Sequence, residues 1–154
     1  MKKLYIVVAT LIVASMVLAA CATPAAPAEA KFKVGQVTDL GGIDDKSFNA
    51  TAYKGIEQAV SELGVEGKYL ESQQQSDYAK NIRQFLDEDT DLIVTVGFLL
   101  GVDTATVAKA NPDQKFAIVD YAYPDCWPGA VEGKDCGSST ELPNVLGLTF
   151  STDQ

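Results

Sequence analysis

Between residues 32 and 150 the sequence alternates short β-type runs with amphipathic helical patterns, and this alternation constrains the fold more than any other feature. The predicted strands are 32–38, 66–71, 91–96, 115–119 and 144–150. The predicted helices are 51–63, a second helix that begins near Asp77, and 102–110. Strands that alternate with helices form parallel sheets with helices on both faces. The sequence therefore predicts an α/β fold with a parallel sheet flanked by helices.

Apolar residues recur at helical spacing between the strands. In the first helix they are Ala52, Ile56, Ala59, Val60 and Leu63, and in the second they are Tyr78, Ile82, Phe85 and Leu86. We expect Gly64 to end the first helix and Asp77 or Ser76 to cap the second. The run 91–96 is almost wholly apolar, which is typical of a strand that helices cover on both faces. Because no helical pattern follows the fifth strand, we expect the chain to be an amino-terminal fragment with exposed apolar surface there.

The residues before the first strand do not belong to this α/β unit. Residues 1–20 have a basic start and an apolar run, and the segment 18–21, Leu-Ala-Ala-Cys, resembles the lipobox of bacterial lipoproteins. We interpret 1–20 as a lipoprotein signal peptide that is cleaved before a lipidated Cys21. A transmembrane anchor is the alternative, although the run is short for a span. Residues 21–31 would then be the lipid anchor and a flexible tether on the extracytoplasmic face of the cell membrane.

The composition argues against several classes of function. The chain has 12 Lys and Arg residues, 21 Asp and Glu residues and no histidine. An acidic domain repels phosphate backbones, so nucleic acid is an unfavourable partner. The lack of histidine removes the commonest general base and a common zinc ligand. We therefore expect no metal and no cofactor.

Two further cysteines, Cys126 and Cys136, lie in a stretch rich in Pro, Gly and Asp after the fourth strand. An exported domain is exposed to an oxidising compartment, which favours a disulfide between them. Two free thiols or a metal pair are the alternatives, and two thiols without histidine make a poor metal site.

The loop after the first strand carries the densest set of polar recognition groups. Its residues 41–49 read Gly-Gly-Ile-Asp-Asp-Lys-Ser-Phe-Asn and lead into the first helix. Asp45 or Ser47 could cap that helix, and capping is compatible with ligand binding. The loop contains neither of the glycine-rich phosphate-binding patterns. Ligands bind outside the carboxyl ends of parallel strands, so four loops are expected to converge: 39–49, 72–76, 97–101 and 120–144.

The segment 37–49 resembles the signature loop of the basic membrane protein family, which are lipoproteins similar to the purine nucleoside receptor A. Further segments match the family pattern in the same order: 71–72, 77–78, 91–93, 96–98, 112–120 and 144–150. The resemblance implies a type I periplasmic-binding-protein fold, in which residues 32–154 form the first lobe and the second lobe is missing. It also implies the capture of purine nucleosides for an ABC permease.

The resemblance also implies a set of ligand-binding residues: Asp45, Phe48, Asn49, Ser72, Gly97, Phe98 and Asp120. Phe48 would stack on the base, while Asn49 and Asp120 would hydrogen-bond its polar edge. This agrees with the chemistry of the side chains, because aromatic rings stack on bases and carboxamides both donate and accept. The alternatives are that Phe48 is a core residue and that Asp120 caps the next segment.

Two other functions stay open. The adjacent carboxylates of Asp44 and Asp45 suggest an exported enzyme such as a nucleoside hydrolase, because such groups hold calcium or act as acid and base. The sequence shows neither calcium-loop spacing nor a nucleophile–base pair, so we predict no catalytic residues. A ligand sensor or adhesin could also use the same fold.

Overall fold

The computed structural model describes residues 30–123 and 142–150. The strands are β1 (Lys33–Val37), β2 (Glu66–Leu70), β3 (Leu92–Val96), β4 (Lys115–Val119) and β5 (Val145–Leu148). The helices are α1 (Phe48–Leu63), α2 (Tyr78–Asp87) and α3 (Gly101–Ala110). Short 3-10 turns, Gln75–Asp77 and Phe98–Leu100, precede α2 and α3. The predicted alternation of strands and helices is confirmed.

All neighbouring strands are parallel, in the order β2-β1-β3-β4-β5. The chain moves outward from β1 to β2 and then returns past β1 to β3, so the direction of travel reverses between β1 and β3. Right-handed crossovers therefore place α1 on one face of the sheet and α2 with α3 on the other. The predicted parallel α/β sheet is confirmed, and its switch point lies beside the carboxyl end of β1.

The main apolar core lies between the sheet and the α2–α3 pair. Its fully buried members include Ile82, Phe85, Ile93, Leu100, Ala105 and Phe116. Gly35 permits this packing, because a Cβ there would lie 2.5 Å from the ring of Phe85. On the other face, Gly67 gives the same room to Ile56 of α1, which a Cβ would approach to 2.6 Å. Both faces of the sheet thus use a glycine where a helix side chain lies against the strand.

The outer part of the α1 face exposes apolar side chains. Leu146 and Leu148 of β5 are 62% and 40% exposed, and Phe150 beyond the strand is 54% exposed. Their paired neighbours on β4, Ala117 and Val119, are buried. The exposed apolar surface expected at the fifth strand is therefore present.

The ends of the helices follow local hydrogen bonding. Gly64 ends α1 as predicted, in a left-handed conformation with its N–H donating to the Val60 carbonyl at 3.2 Å. Asp77 occupies the N-cap position of α2, as predicted, but its side chain makes no capping bond to that helix. The Asp77 carboxylate accepts from the N–H groups of Gln73 and Gln74, at 3.2 and 3.3 Å. The Asp77 side chain therefore stabilises the 3-10 turn before α2 and not the first turn of the helix.

Several predictions fall outside the described residues. These are the signal peptide, lipidation of Cys21 with its tether, and the disulfide between Cys126 and Cys136. Within residues 30–123 and 142–150, no helix is both long and apolar enough to span a membrane.

Candidate functional site

The carboxyl ends of β1, β3 and β4 bring three loops together. The N–H of Gly97 donates to the Val119 carbonyl at 2.9 Å, and the N–H of Asp120 donates to the Leu148 carbonyl at 2.8 Å. Each turn is thereby fixed to the neighbouring strand. The loop from 39 to 49 lies beside them, because a Cβ on Gly97 would lie 2.9 Å from Asp39 Oδ2 and Phe48 lines the same pocket as Val119.

Asp45 organises the start of α1. Its Oδ1 accepts from the N–H groups of Ser47 and Ala50 at 2.8 and 3.0 Å, and its Oδ2 accepts from the N–H of Asn49 at 2.9 Å. Burial by itself raises the pKa of Asp45, but the hydrogen bonds from Ala50, Ser47 and Asn49 outweigh it and lower the pKa below its usual value. Asp45 thus takes the predicted capping role, and α1 begins at Phe48 instead of Thr51. Ser47, the other predicted cap, makes no side-chain capping bond.

Asn49 lies beneath the loop and is only 1% exposed. Its Nδ2 donates to Asp39 Oδ1 at 2.7 Å and to Asp45 Oδ2 at 3.0 Å, so one amide joins two carboxylates. Its Oδ1 accepts from the N–H of Asp39 at 3.4 Å, and its backbone carbonyl accepts from Gln36 Nε2 at 2.9 Å. In this structure Asn49 holds the loop closed. Both Nδ2 hydrogens are used in this way, so donation from the Asn49 amide to a base would require one of these bonds to be exchanged.

Ser72 also lies inside the protein, with 1% of its surface exposed. Its N–H donates to Thr38 Oγ1 at 3.3 Å, and its hydroxyl accepts from Asn81 Nδ2 at 3.1 Å. Ser72 therefore connects the end of β1 to α2 underneath the loops. In this structure Ser72 supports the loops from beneath and is not part of the open surface.

Aromatic side chains form the open part of the site. Phe48 is 41% exposed, and its ring centroid lies 6.0 Å from that of Phe150, with 32° between the planes. An open pocket of about 500 Å³ adjoins them, lined by Ser47, Phe48, Thr51, Ala52, Val119, Leu148 and Phe150. That volume lies in the range of small-molecule pockets. Phe98, 62% exposed, lies in the adjacent turn after Gly97.

Backbone conformations at the ends of β3 and β4 are unusual. Gly97 has φ +98°, and a Cβ on it would lie 2.9 Å from Asp39 Oδ2, so both the dihedral and the space favour glycine. Asp120 has φ +64°, the left-handed region that non-glycine residues seldom adopt. Residues held in such conformations cluster at ligand sites. The geometry thus marks the two turns that were predicted from their places at strand ends.

Sequence reasoning missed Asp39 and Phe150 as members of the site. Asp39 lies at the centre of the loops, where its Oδ1 accepts from the N–H of Gly41 at 2.9 Å as well as from Asn49. Asp39 directly follows the first predicted strand and Phe150 is the last residue of the fifth, and this place at the carboxyl end of a parallel strand was the signal that could have found them. Among the described residues, no group of three His, Cys, Asp or Glu side chains could hold a metal ion.

Comparison with known proteins adds a family to this geometry. The model of the family described as ABC transporter substrate-binding protein PnrA-like matches residues 32–154. A CD4+ T-cell-stimulating antigen of Listeria innocua is 33% identical over 167 residues, which cover 99% of this chain and 47% of the relative. The ABC transporter nucleoside-binding protein BmpA of Lactococcus lactis is 33% identical over 135 residues, covering 81% of this chain and 38% of that protein. The chain thus spans less than half the length of these relatives.

Solved structures show the same fold. A solute-binding protein of an ABC transporter system from Aeropyrum pernix is 31% identical, with a TM-score of 0.60 over 77% of this chain and 28% of that one. A second such protein, from Conexibacter woesei, is 24% identical with a TM-score of 0.51, over 58% of this chain and 30% of that one. The predicted fold of a solute-binding protein is therefore confirmed.

Proposed function

Because the chain belongs to the family of PnrA-like substrate-binding proteins of ABC transporters, we propose that it captures a purine nucleoside for uptake through an ABC permease. The observation that carries the proposal is the exposed ring of Phe48, which lies beside an open apolar pocket at the carboxyl edge of a parallel sheet. The name of the Lactococcus lactis relative, a nucleoside-binding protein, supports the choice of ligand class.

Stacking on Phe48 is the principal interaction of this proposal. A base has a flat face whatever its substituents, and stacking on an aromatic ring contributes about 1–3 kcal/mol per base. The ring is held at the first position of α1, which the Asp45 carboxylate caps. The site therefore presents the ring on a fixed element, and little ordering of the Phe48 backbone is needed when a ligand arrives.

Polar recognition is assigned to groups around the ring. The Asp120 carboxylate accepts from N–H groups of the base, and the Gly97–Phe98 turn forms the adjacent wall. Three of the implied residues affect the ligand mainly by holding the loops in place, because their polar atoms are engaged in hydrogen bonds with the protein. They are Asp45, Asn49 and Ser72. This division assigns discrimination between bases to Asp120 and general affinity to Phe48.

We also propose that a lipid on Cys21 anchors the protein on the extracytoplasmic face of the cell membrane. The support is the lipobox-like segment 18–21 and the description of a relative from Pyrococcus furiosus, 42% identical over 91 residues, as a lipoprotein. That match covers 58% of this chain and 23% of the relative. A Cys21→Ser variant should lose incorporation of a labelled fatty acid. Equal labelling of the variant and the wild type would contradict the anchor.

Calorimetric titration of the full-length protein tests the proposed ligand. The panel is adenosine, guanosine, inosine, cytidine and free ribose. We expect saturable heat with the purine nucleosides and none with ribose. Absence of heat with every nucleoside, together with clear binding of a sugar or a peptide, would overturn the proposal. Incubation with inosine provides a parallel assay, in which release of hypoxanthine would favour the enzyme alternative.

A further inference from the structure

The side chain of Glu71 reaches from the end of β2 to the loop that precedes α1. Its Oε1 accepts from the N–H of Ile43 at 2.8 Å. A Cβ on Gly42 would lie 3.0 Å from the same oxygen, and Gly42 has φ +67°. A glycine at position 42 therefore lets the loop pass close to the Glu71 carboxylate, and the N–H of the following residue, Ile43, donates to that carboxylate.

The backbone of Glu71 is itself held in place. Asn81 on α2, which is 8% exposed, donates from Nδ2 to the Glu71 carbonyl and to the Ser72 hydroxyl, both at 3.1 Å. The N–H of Ser72 donates to Thr38 Oγ1 at 3.3 Å. A continuous set of contacts thus runs from α2, through the end of β2, to the outer part of the loop at residues 41–43.

The inner and outer parts of the loop are held differently. Asp39 and Asp45 belong to the loop and bind its own groups, including the Gly41 N–H and the Asn49 amide. Glu71 comes from a different strand, is exposed to solvent, and binds the outer part through the Ile43 N–H. The Glu71 side chain therefore connects the loop that carries Phe48 to β2, and it does so from the solvent-exposed side of the loop.

We propose that Glu71 is a positioning residue for the ligand site, which keeps residues 41–43 in the arrangement that accepts a ligand. The inference rests on the proposed function, since it concerns the same site. When a fixed loop is released, only a fraction of the molecules is competent to bind, and the apparent affinity falls by that fraction. The loss of affinity then appears as a slower association rate. Removal of a direct ligand contact appears instead in dissociation.

Stopped-flow kinetics of nucleoside binding to the full-length protein test this role with three variants. Glu71→Ala should weaken binding about threefold to tenfold, through a slower association rate and by the same factor for each purine nucleoside. Glu71→Gln should bind nearly as the wild type, because its amide oxygen can still accept from the Ile43 N–H. Glu66→Ala, an exposed glutamate at the other end of β2, is the matched control and should change nothing.

Amide hydrogen exchange gives a readout that does not depend on the ligand. The Ile43 N–H should exchange faster in Glu71→Ala than in the wild type and in Glu71→Gln. Unchanged affinity in Glu71→Ala would overturn the inference. Faster dissociation or an altered order of nucleoside preference would also overturn it, because either result would make Glu71 a ligand contact. If the wild type binds another solute and no nucleoside, the proposed function fails. The same comparison with that solute then decides the role of Glu71.

Discussion

The core under α2 and α3 and the loops at the carboxyl edge of the sheet are held by different interactions. In the core, Ile82, Phe85 and Ile93 are at most 1% exposed, and their burial is the source of stability. At the edge, the carboxylates of Asp39 and Asp45 bind N–H groups, while aromatic rings stay exposed. Core substitutions should therefore chiefly reduce the free energy of unfolding, whereas substitution of the exposed aromatic rings should chiefly reduce ligand binding.

The largest expected effect belongs to the core. Phe85→Ala should reduce the free energy of unfolding by about 3–5 kcal/mol, because it leaves a cavity where the ring lies against the backbone of Gly35. Urea denaturation followed by circular dichroism measures the change. Leu63→Ala is the control, since Leu63 is 76% exposed at the end of α1 and should change stability by less than about 0.5 kcal/mol. Equal losses of unfolding free energy in Phe85→Ala and Leu63→Ala would contradict the assignment of stability to the buried core.

Phe48→Ala should have the converse effect. We expect binding of a purine nucleoside to weaken by about 1–3 kcal/mol through loss of stacking. The stability loss should be the smaller effect, because the ring is 41% exposed. Phe32→Ala is a matched control at the opposite end of β1, with a ring that is 43% exposed. Calorimetry measures the nucleoside affinity of both variants. Full affinity in Phe48→Ala would contradict the proposed stacking.

Acid stability should report the capping of α1 by Asp45. Its pKa in the folded protein is lowered from the ordinary value of 3.8, so its contribution to stability is present above that value and is lost as the pH falls through the lower folded pKa. The difference in unfolding free energy between the wild type and Asp45→Asn should be constant near neutral pH and shrink at a pH below about 4. Urea midpoints across this range measure it. A difference that grows with acidification would contradict the assigned direction.

Much of the fold could be predicted because its signals are local. The spacing of Tyr78, Ile82 and Phe85 predicts a helix with one apolar face, and those residues form the core against the sheet. The start of α1 was predicted too late, because the apolar pattern begins after the first turn. That turn is stabilised by Asp45, whose effect depends on loop geometry and not on periodicity.

The site could be predicted only in part. Gly97 and Asp120 lie at strand ends on the expected edge, which follows from the parallel order of the strands. The inward direction of the Asn49 amide and the hydrogen bond that the Ile43 N–H donates to Glu71 were not foreseen. They depend on β2 lying next to β1 and on side-chain directions within a loop, and spacing along the chain carries no information on either.

If the ligand binds at the carboxyl edge, on the loops around Phe48, its contacts should be confined to that end of the sheet. Backbone amide NMR of the full-length protein, titrated with the nucleoside that binds best, tests it most directly. We expect the largest shifts at Phe48, Gly97 and Asp120. Resonances at the amino ends of the strands, such as those of Glu66 and Leu92, should stay unchanged. Saturable binding that shifts the amino ends and leaves the loops around Phe48 unaffected would contradict it.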